Sequence, residues 1–159
     1  MASGSGVTLQ AVTSFDPAGD NREGEATKGN ATDGNPATRW TTEYYRDPDM
    51  KSVPKPGVGL ILRADKAAKL SRLKVLTPSQ DWSASVYLAK EQAGQLADWG
   101  EPVAKQDNIR GDAEFDLGGR NGPFVLLWIT RVTDTPECPN ARDAARYCVQ
   151  VGEITAIAP

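Results

Sequence analysis

Apolar residues recur along the chain in short runs of period two, separated by clusters of Gly, Pro, Asn and Asp. This pattern predicts strands throughout and only weak helix. Residues 7–15, "VTLQAVTSF", are rich in β-branched side chains and read as a first strand. A long polar tract follows, in which "EATKGN" has room for one helical turn before Gly29 stops it. Residues 58–63, "VGLILR", come after two prolines that fix an extended approach. Residues 70–77 place Leu73 and Val75 on one face. Residues 82–89 alternate, with Trp82, Ala84, Val86 and Leu88 on one face and Ser83, Ser85 and Tyr87 on the other. Residues 113–117 form a short strand before the turn "GGRNGP". Residues 124–132, "FVLLWITRV", are apolar on both faces, as expected of a strand buried twice. The last segment, "YCVQVGEITAIA", is again extended, with a bulge expected at Gly152.

Seven or eight strands with loop-like connections and no βαβ alternation predict an all-β protein, a β-sandwich or jelly roll. The 159 residues suit one domain with a core of its own. "MASGSG", residues 1–6, reads as an expression-tag remnant, which leaves residues 7–159 as a single domain cut from a longer protein. Of the four tryptophans, Trp40, Trp99 and Trp128 are expected in the core, and Trp82 in the core or at a rim.

A net charge of −3 and a pI near 5.0 do not suit a nucleic-acid partner. The absence of histidine removes Ser-His-Asp and Cys-His catalysis and His-containing metal sites. Gly57-Val58-Gly59 leads into a strand, so it is a strand start and not a phosphate cradle. No carboxylate pair is singled out by its placement, which leaves glycan hydrolysis without a sequence argument. Asn30-Ala31-Thr32 matches a glycosylation acceptor only formally.

Cys138 and Cys148 fit either a disulfide closing a polar loop or a reactive thiol. A disulfide would contribute roughly 2–3 kcal/mol and point to an oxidising compartment. Tyr44 and Tyr45 sit in "TTEYYRDPDM", where adjacent residues point opposite ways and one ring packs inward. An exposed tyrosine beside Arg46 and Asp47 suits a sugar or a peptide, although both rings could simply brace a loop. The stretch "NATDGNPATRW" is either a plain Asx turn or, with Asp33 and Thr38 as oxygen donors, part of a hard-cation site that needs a distant acid to close it.

"GNATDGNPATRWTTE" resembles the hallmark of galactose-binding-like, or discoidin (F5/8 type C), domains. Ala31, Asp33, Gly34, Asn35, Thr38 and Trp40 match its A-x-D-G-N-x-x-T-x-W form. "KLSRLKVLTP", "WSASVYLAKEQ", "GPFVLLWIT" and "VGEITAI" resemble later strands of these domains, so the likeness spans most of residues 7–158. "EYYRDPDMKSVPKPGVGLILR" and "FVLLWITRV" also resemble actinobacterial extracytoplasmic C-terminal domains of MviN/MurJ-type flippases and membrane Ser/Thr kinases.

The resemblance implies an eight-stranded, mainly antiparallel jelly roll and a non-catalytic module of the cell envelope. A structural Ca²⁺ would be held by Asp33, Thr38 and Glu153, with backbone oxygens near Asn30 and Asn35. A ligand site on loops 43–56 and 78–82 would have Tyr44, Tyr45, Arg46 and Trp82 at its rim. The ligand would be a cell-wall glycan or peptidoglycan precursor. The alternative is a docking domain for a parent or partner membrane protein. Met50 and Val53 add apolar character to the 43–56 loop, but its charges argue against insertion into lipid.

Overall fold

The computed structural model describes residues 5–19, 22–50, 55–65, 69–134 and 147–158. The described residues form thirteen strands in chain order. They are β1 (Ser5–Val7), β2 (Leu9–Phe15), β3 (Trp40–Thr41), β4 (Val58–Ala64), β5 (Lys69–Leu76), β6 (Gln80–Ala89), β7 (Ala104–Arg110), β8 (Ala113–Asn121), β9 (Phe124–Arg131), β10 (Thr133–Asp134), β11 (Tyr147–Cys148), β12 (Gln150–Val151) and β13 (Glu153–Ala158). Two sheets form the body, one ordered β2-β4-β9-β6-β7 and the other β1-β13-β5-β8, with every pairing antiparallel. β3 pairs with β12 and β10 with β11 as short ribbons. This is the expected all-β sandwich.

The core lies between the sheets. Leu60, Leu62, Trp82, Val86, Val125 and Leu127 point inward from the larger sheet, against Leu70, Leu73, Val75, Phe115, Leu117 and Ile154 of the smaller one. Burial of these side chains supplies the main driving force for folding, about 1.5–3 kcal/mol each.

The larger sheet is covered on its outer face as well, as the apolar run in β9 requires. Phe15, Ile61, Tyr87, Leu126 and Trp128 point outward beneath Trp99, which ends a 3-10 turn at Leu96–Trp99. The Phe15 ring meets Trp99 and Trp128 edge-on, with centroids 6.4 and 5.7 Å away. The second face of β6 is buried as well, with Ser83, Ser85 and Tyr87 all nearly inaccessible.

Gly57 and Gly59 mark a close approach of β4 to β9. A Cβ on Gly57 would fall 2.5 Å from the Trp128 ring, and one on Gly59 would fall 2.4 Å from the Leu127 carbonyl oxygen.

Other differences from the sequence reading are local. β7 has only Ile109 buried, so its polar "AKQDNIR" hides an edge strand from any apolar period. The Glu25–Thr32 3-10 helix runs past Gly29 and stops at Asp33. β8 continues through Gly118-Gly119, where a turn was expected. Ser5 and Gly6, inside the stretch read as tag, pair with Ala158 and Ile157. The final segment breaks at Gly152, whose N–H donates to the Leu76 carbonyl at 2.7 Å. Cys148 is buried, but Cys138 lies outside the described residues, and so does the expected Cys138–Cys148 pairing. Val53 lies outside them too.

Candidate functional site

Segment 40–45 leaves the long polar tract and runs along the end of the sandwich. Trp40 is fully buried, and its Nε1–H donates to the Glu23 carbonyl at 2.8 Å. The Thr42 N–H donates to Val149 O at 3.0 Å, and Val149 N–H returns a bond to Thr42 Oγ1 at 3.0 Å. Tyr45 and Tyr147 exchange both backbone bonds, at 2.8 and 2.9 Å. With these anchors on either side, Tyr45 turns inward and the half-buried Tyr44 turns outward.

Tyr44 forms one wall of an open pocket of about 540 Å³, lined also by Gly24, Ala26, Thr27, Thr41, Thr42 and Glu43. An aromatic face, threonine hydroxyls and one carboxylate are the donor, acceptor and stacking groups a pyranose ring uses. Gly24 permits the pocket floor. Its φ is +60°, and a Cβ there would lie 1.9 Å from the Thr41 carbonyl oxygen.

A buried polar cluster supports this segment. Glu23 and Asp16 are fully buried, and Lys55 lies 2.9 Å from Asp16 Oδ2 and 3.6 Å from Glu23 Oε1. Glu23 Oε2 accepts from the Tyr45 hydroxyl at 2.5 Å and from the Glu43 N–H at 2.8 Å. Burial pushes the Glu23 carboxyl up to about 7, against the lowering effects of Tyr45, the Glu43 N–H and Lys55. Burial and then the Glu23 charge push the Tyr45 phenol well above its ordinary value. Burial works against the Lys55 ammonium, but the Asp16 bond and the surrounding carboxylates outweigh it and raise its pKa. Among the described residues, neither Asp16 Oδ1 nor Glu23 Oε1 has a hydrogen-bond partner.

The Asp-Gly turn lies on a different side of the same long tract. Asp33 Oδ1 accepts from the Asn35 N–H at 2.9 Å, and Asp33 Oδ2 accepts from the Thr38 hydroxyl. These bonds, that of Thr38 first, lower the Asp33 pKa. Both Glu153 oxygens accept from the Gly34 N–H, at 3.1 and 3.2 Å. Burial and the nearby Asp33 charge raise the Glu153 pKa, opposed by the Gly34 bond. Asn30 Nδ2 donates to Arg39 O at 3.0 Å. Glu153 therefore reaches the turn from 119 positions away. Asp33, Thr38 and Glu153 present oxygen donors only, which is the donor chemistry of Ca²⁺. The described residues hold no cluster of three or more His, Cys, Asp or Glu side chains at metal-binding spacing, so other ligands would be hydroxyl and carbonyl oxygens.

No protein-family model matches the chain, and neither does any curated protein. Solved structures do match. Chitosan-binding module 2 of a chitosanase/glucanase from Paenibacillus sp. IK-5, solved with chitotriose, superposes with a TM-score of 0.60 at 17% identity, covering 95% of this chain and 98% of that one. The Clostridium perfringens module CpGH89CBM32-5, solved with GalNAc-β-1,3-galactose, superposes with a TM-score of 0.60 at 11% identity, covering 97% and 100%. The chain shares the galactose-binding-like fold of family 32 carbohydrate-binding modules. It also matches a part of the whole family 89 glycoside hydrolase of C. perfringens, with a TM-score of 0.58 at 13% identity, covering 97% of this chain and 14% of that one.

Within this carbohydrate-module fold, two of the four expected rim residues move. Tyr45 is 3% exposed and bonded to Glu23, so its ring cannot stack on a ligand. Trp82 is fully buried, and its indole N–H donates to Gly111 O at 3.1 Å, which makes it core. Tyr44 stays at the surface. Arg46 is exposed but does not line the Tyr44 pocket. Met50 is fully buried and offers no apolar spike.

The sequence reading missed a polar trio on the strand ends of the larger sheet. Asp81 takes Asn108 Nδ2 at 2.9 Å and Arg131 Nη2 at 3.0 Å, and these bonds, Asn108 first, lower its pKa. Asp81 and Asn108 both have left-handed backbones, with φ of 62° and 52°. The Val132 N–H donates to Pro48 O at 2.7 Å, which ties the 46–50 turn to the same end of the sandwich. The trio comes from three strands, so no local pattern could have found it.

Proposed function

We propose that the chain is a non-catalytic glycan-binding module whose sugar ring rests on Tyr44, with Thr27, Thr41 and Glu43 supplying polar contacts. The observation that carries this reading is the half-buried Tyr44 ring lining an open pocket beside hydroxyls and a carboxylate. The fold supports it, since structures of the same fold were solved with chitotriose and with GalNAc-β-1,3-galactose. The ligand we propose is a cell-envelope glycan or peptidoglycan precursor, met by the chain as an extracytoplasmic part of a membrane-anchored protein of the flippase or kinase type. No helix among the described residues is long and apolar enough to cross a membrane. We further propose that Ca²⁺ braces the Asp-Gly turn through Asp33, Thr38 and Glu153, with backbone oxygens near Asn30 and Asn35, and plays no part in ligand contact.

The alternative, a docking domain for a parent or partner protein, asks for an exposed apolar patch. Among the described residues, Leu76 is the one large apolar side chain that is exposed. The test is titration of soluble muropeptides and chitotriose into the wild-type chain and Tyr44→Ala. Saturable binding that Tyr44→Ala weakens supports the proposal. Binding that survives Tyr44→Ala, or no binding to either glycan, defeats it.

A further inference from the structure

The Tyr44 pocket is built on a buried acid. Glu23 Oε2 holds the Glu43 N–H on one side of Tyr44 and the Tyr45 hydroxyl on the other, at 2.8 and 2.5 Å. One carboxylate oxygen thus fixes both chain neighbours of the residue that lines the pocket. Glu23 is itself fixed from behind, since its N–H donates to Ser14 Oγ at 2.8 Å and its carbonyl accepts from Trp40.

The charge around Glu23 does not balance. From the end of β2 comes the Asp16 carboxylate, from the chain ahead of β4 the Lys55 ammonium, and from the segment after β3 Tyr45 and Glu43. Arg22 adjoins Glu23 in the chain, and Glu25, paired with Lys28, reaches the cluster through Ser14. Inside the cluster, two carboxylates share one ammonium. With both ionised, a net negative charge is buried, and burial of unpaired charge is costly. With a proton on Glu23, the interior is a neutral Asp16–Lys55 pair and a carboxyl group.

We infer that Glu23 is a positioning residue for the Tyr44 pocket, and that the charge on its carboxyl sets how firmly the 43–45 segment is held. The inference rests on the reading of Tyr44 as the glycan-contacting residue, but its mechanics need no glycan. The protonated carboxyl keeps the cluster closed. Ionisation draws water toward Glu23, and the cover it loosens is the 43–45 segment, which lies over the carboxyl and is tied at its other edge to the chain at 147–149. Burial has already raised the Glu23 carboxyl to about 7, so this change falls within the neutral range.

The test follows the Glu23 side-chain carboxyl carbon, the Glu43 and Tyr44 amides and the Tyr44 ring by NMR across the neutral range, in the wild type, Glu23→Gln and Glu43→Gln. The expected result is that the Glu43 and Tyr44 signals share the Glu23 midpoint, that Glu23→Gln abolishes their titration and that Glu43→Gln leaves it. Should Glu23→Gln fail to fold, the shared midpoint in the wild type and its persistence in Glu43→Gln decide the question equally well. A flat Tyr44 response, or one that disappears in Glu43→Gln, overturns the inference. A second arm titrates the peptidoglycan disaccharide of N-acetylglucosamine and N-acetylmuramic acid. Its dissociation constant should rise about threefold or more from about pH 6 to about pH 8.5 in the wild type and stay level in Glu23→Gln. Tightening with pH overturns the inference. Co-titration of Tyr44 with Glu23 in a chain that binds no glycan defeats the glycan reading alone.

Discussion

The Tyr45 hydroxyl donates to Glu23 Oε2 across 2.5 Å, joining two fully interior side chains that stand 22 positions apart. The bond decides which of two adjacent tyrosines faces solvent. Tyr45→Phe keeps the ring and removes the donor, leaving a buried carboxylate under-satisfied. We expect a loss of about 1–3 kcal/mol in urea unfolding at neutral pH. An unchanged midpoint would mean that the bond contributes nothing.

Stability should peak in mild acid. Glu23 has a folded pKa of about 7, above its ordinary 4.5. The folded state therefore holds this proton longer than the unfolded chain. Stability falls as pH rises from 4.5 to 7 and levels beyond, by about 3 kcal/mol if Glu23 acts alone. Glu25 has the opposite sign. Burial works against its charge, but Lys28 and Ser14 hold its pKa down to about 2. Its contribution is present above 4.5 and is lost as pH falls toward 2. Thermal melts across this range should show both limbs, with Glu23→Gln flattening the neutral one and Glu25→Gln the acid one.

Gly24→Ala should be among the most damaging small substitutions in the chain. The added methyl would meet the Thr41 carbonyl at 1.9 Å on a left-handed backbone. A loss of about 3 kcal/mol or more is expected in denaturant unfolding, together with loss of the Tyr44 pocket. A near-neutral result would show that the 24–27 and 41–44 segments adapt freely.

Tyr44 and Trp82 should separate binding from stability. Tyr44→Ala is expected to leave the chain folded and to weaken glycan binding roughly tenfold or more. Trp82→Phe loses the bond to Gly111 O and should cost about 1–3 kcal/mol while leaving glycan affinity unchanged. Calorimetric titration of both variants, beside their melts, checks the contrast.

Calcium at about a hundred times its dissociation constant should stabilise the chain by about 2.7 kcal/mol. EDTA should reverse the shift, and Glu153→Ala should abolish it. Equal melting temperatures with and without the cation would remove Ca²⁺ from the account of the Asp-Gly turn.

Much of the sandwich was legible because sheets with buried faces write themselves as alternation or as doubly apolar runs, as in β5 and β9. Trp128 was readable as core for the same reason, whereas Trp40 and Trp99, expected in the core as well and buried, lie in polar stretches with no such pattern. The family resemblance pointed to Glu153 as the acid at the hallmark turn, and the Glu153 carboxylate does accept from the Gly34 N–H. What stayed hidden depends on groups far apart in the chain. Glu23 sits in "NREGE", where every local cue says solvent, and its burial follows from Lys55, Asp16 and Tyr45 arriving from elsewhere. The inward turn of Tyr45 and the full burial of Trp82 depend on those same tertiary contacts. β7 was missed because an edge strand needs no apolar period.

The burial of all four tryptophans has a practical consequence. Their emission reports on the protein's interior, with Trp40 beside Glu23, Trp82 between the sheets, and Trp128 beneath Trp99 on the outer face of the larger sheet. Unfolding would redden that light. The Trp40 indole also lies under the floor of the Tyr44 pocket, its Nε1 3.0 Å from where a Cβ on Gly24 would sit. A change in emission without reddening, on adding saccharide, would therefore be Trp40 reporting the pocket and not the loss of the fold.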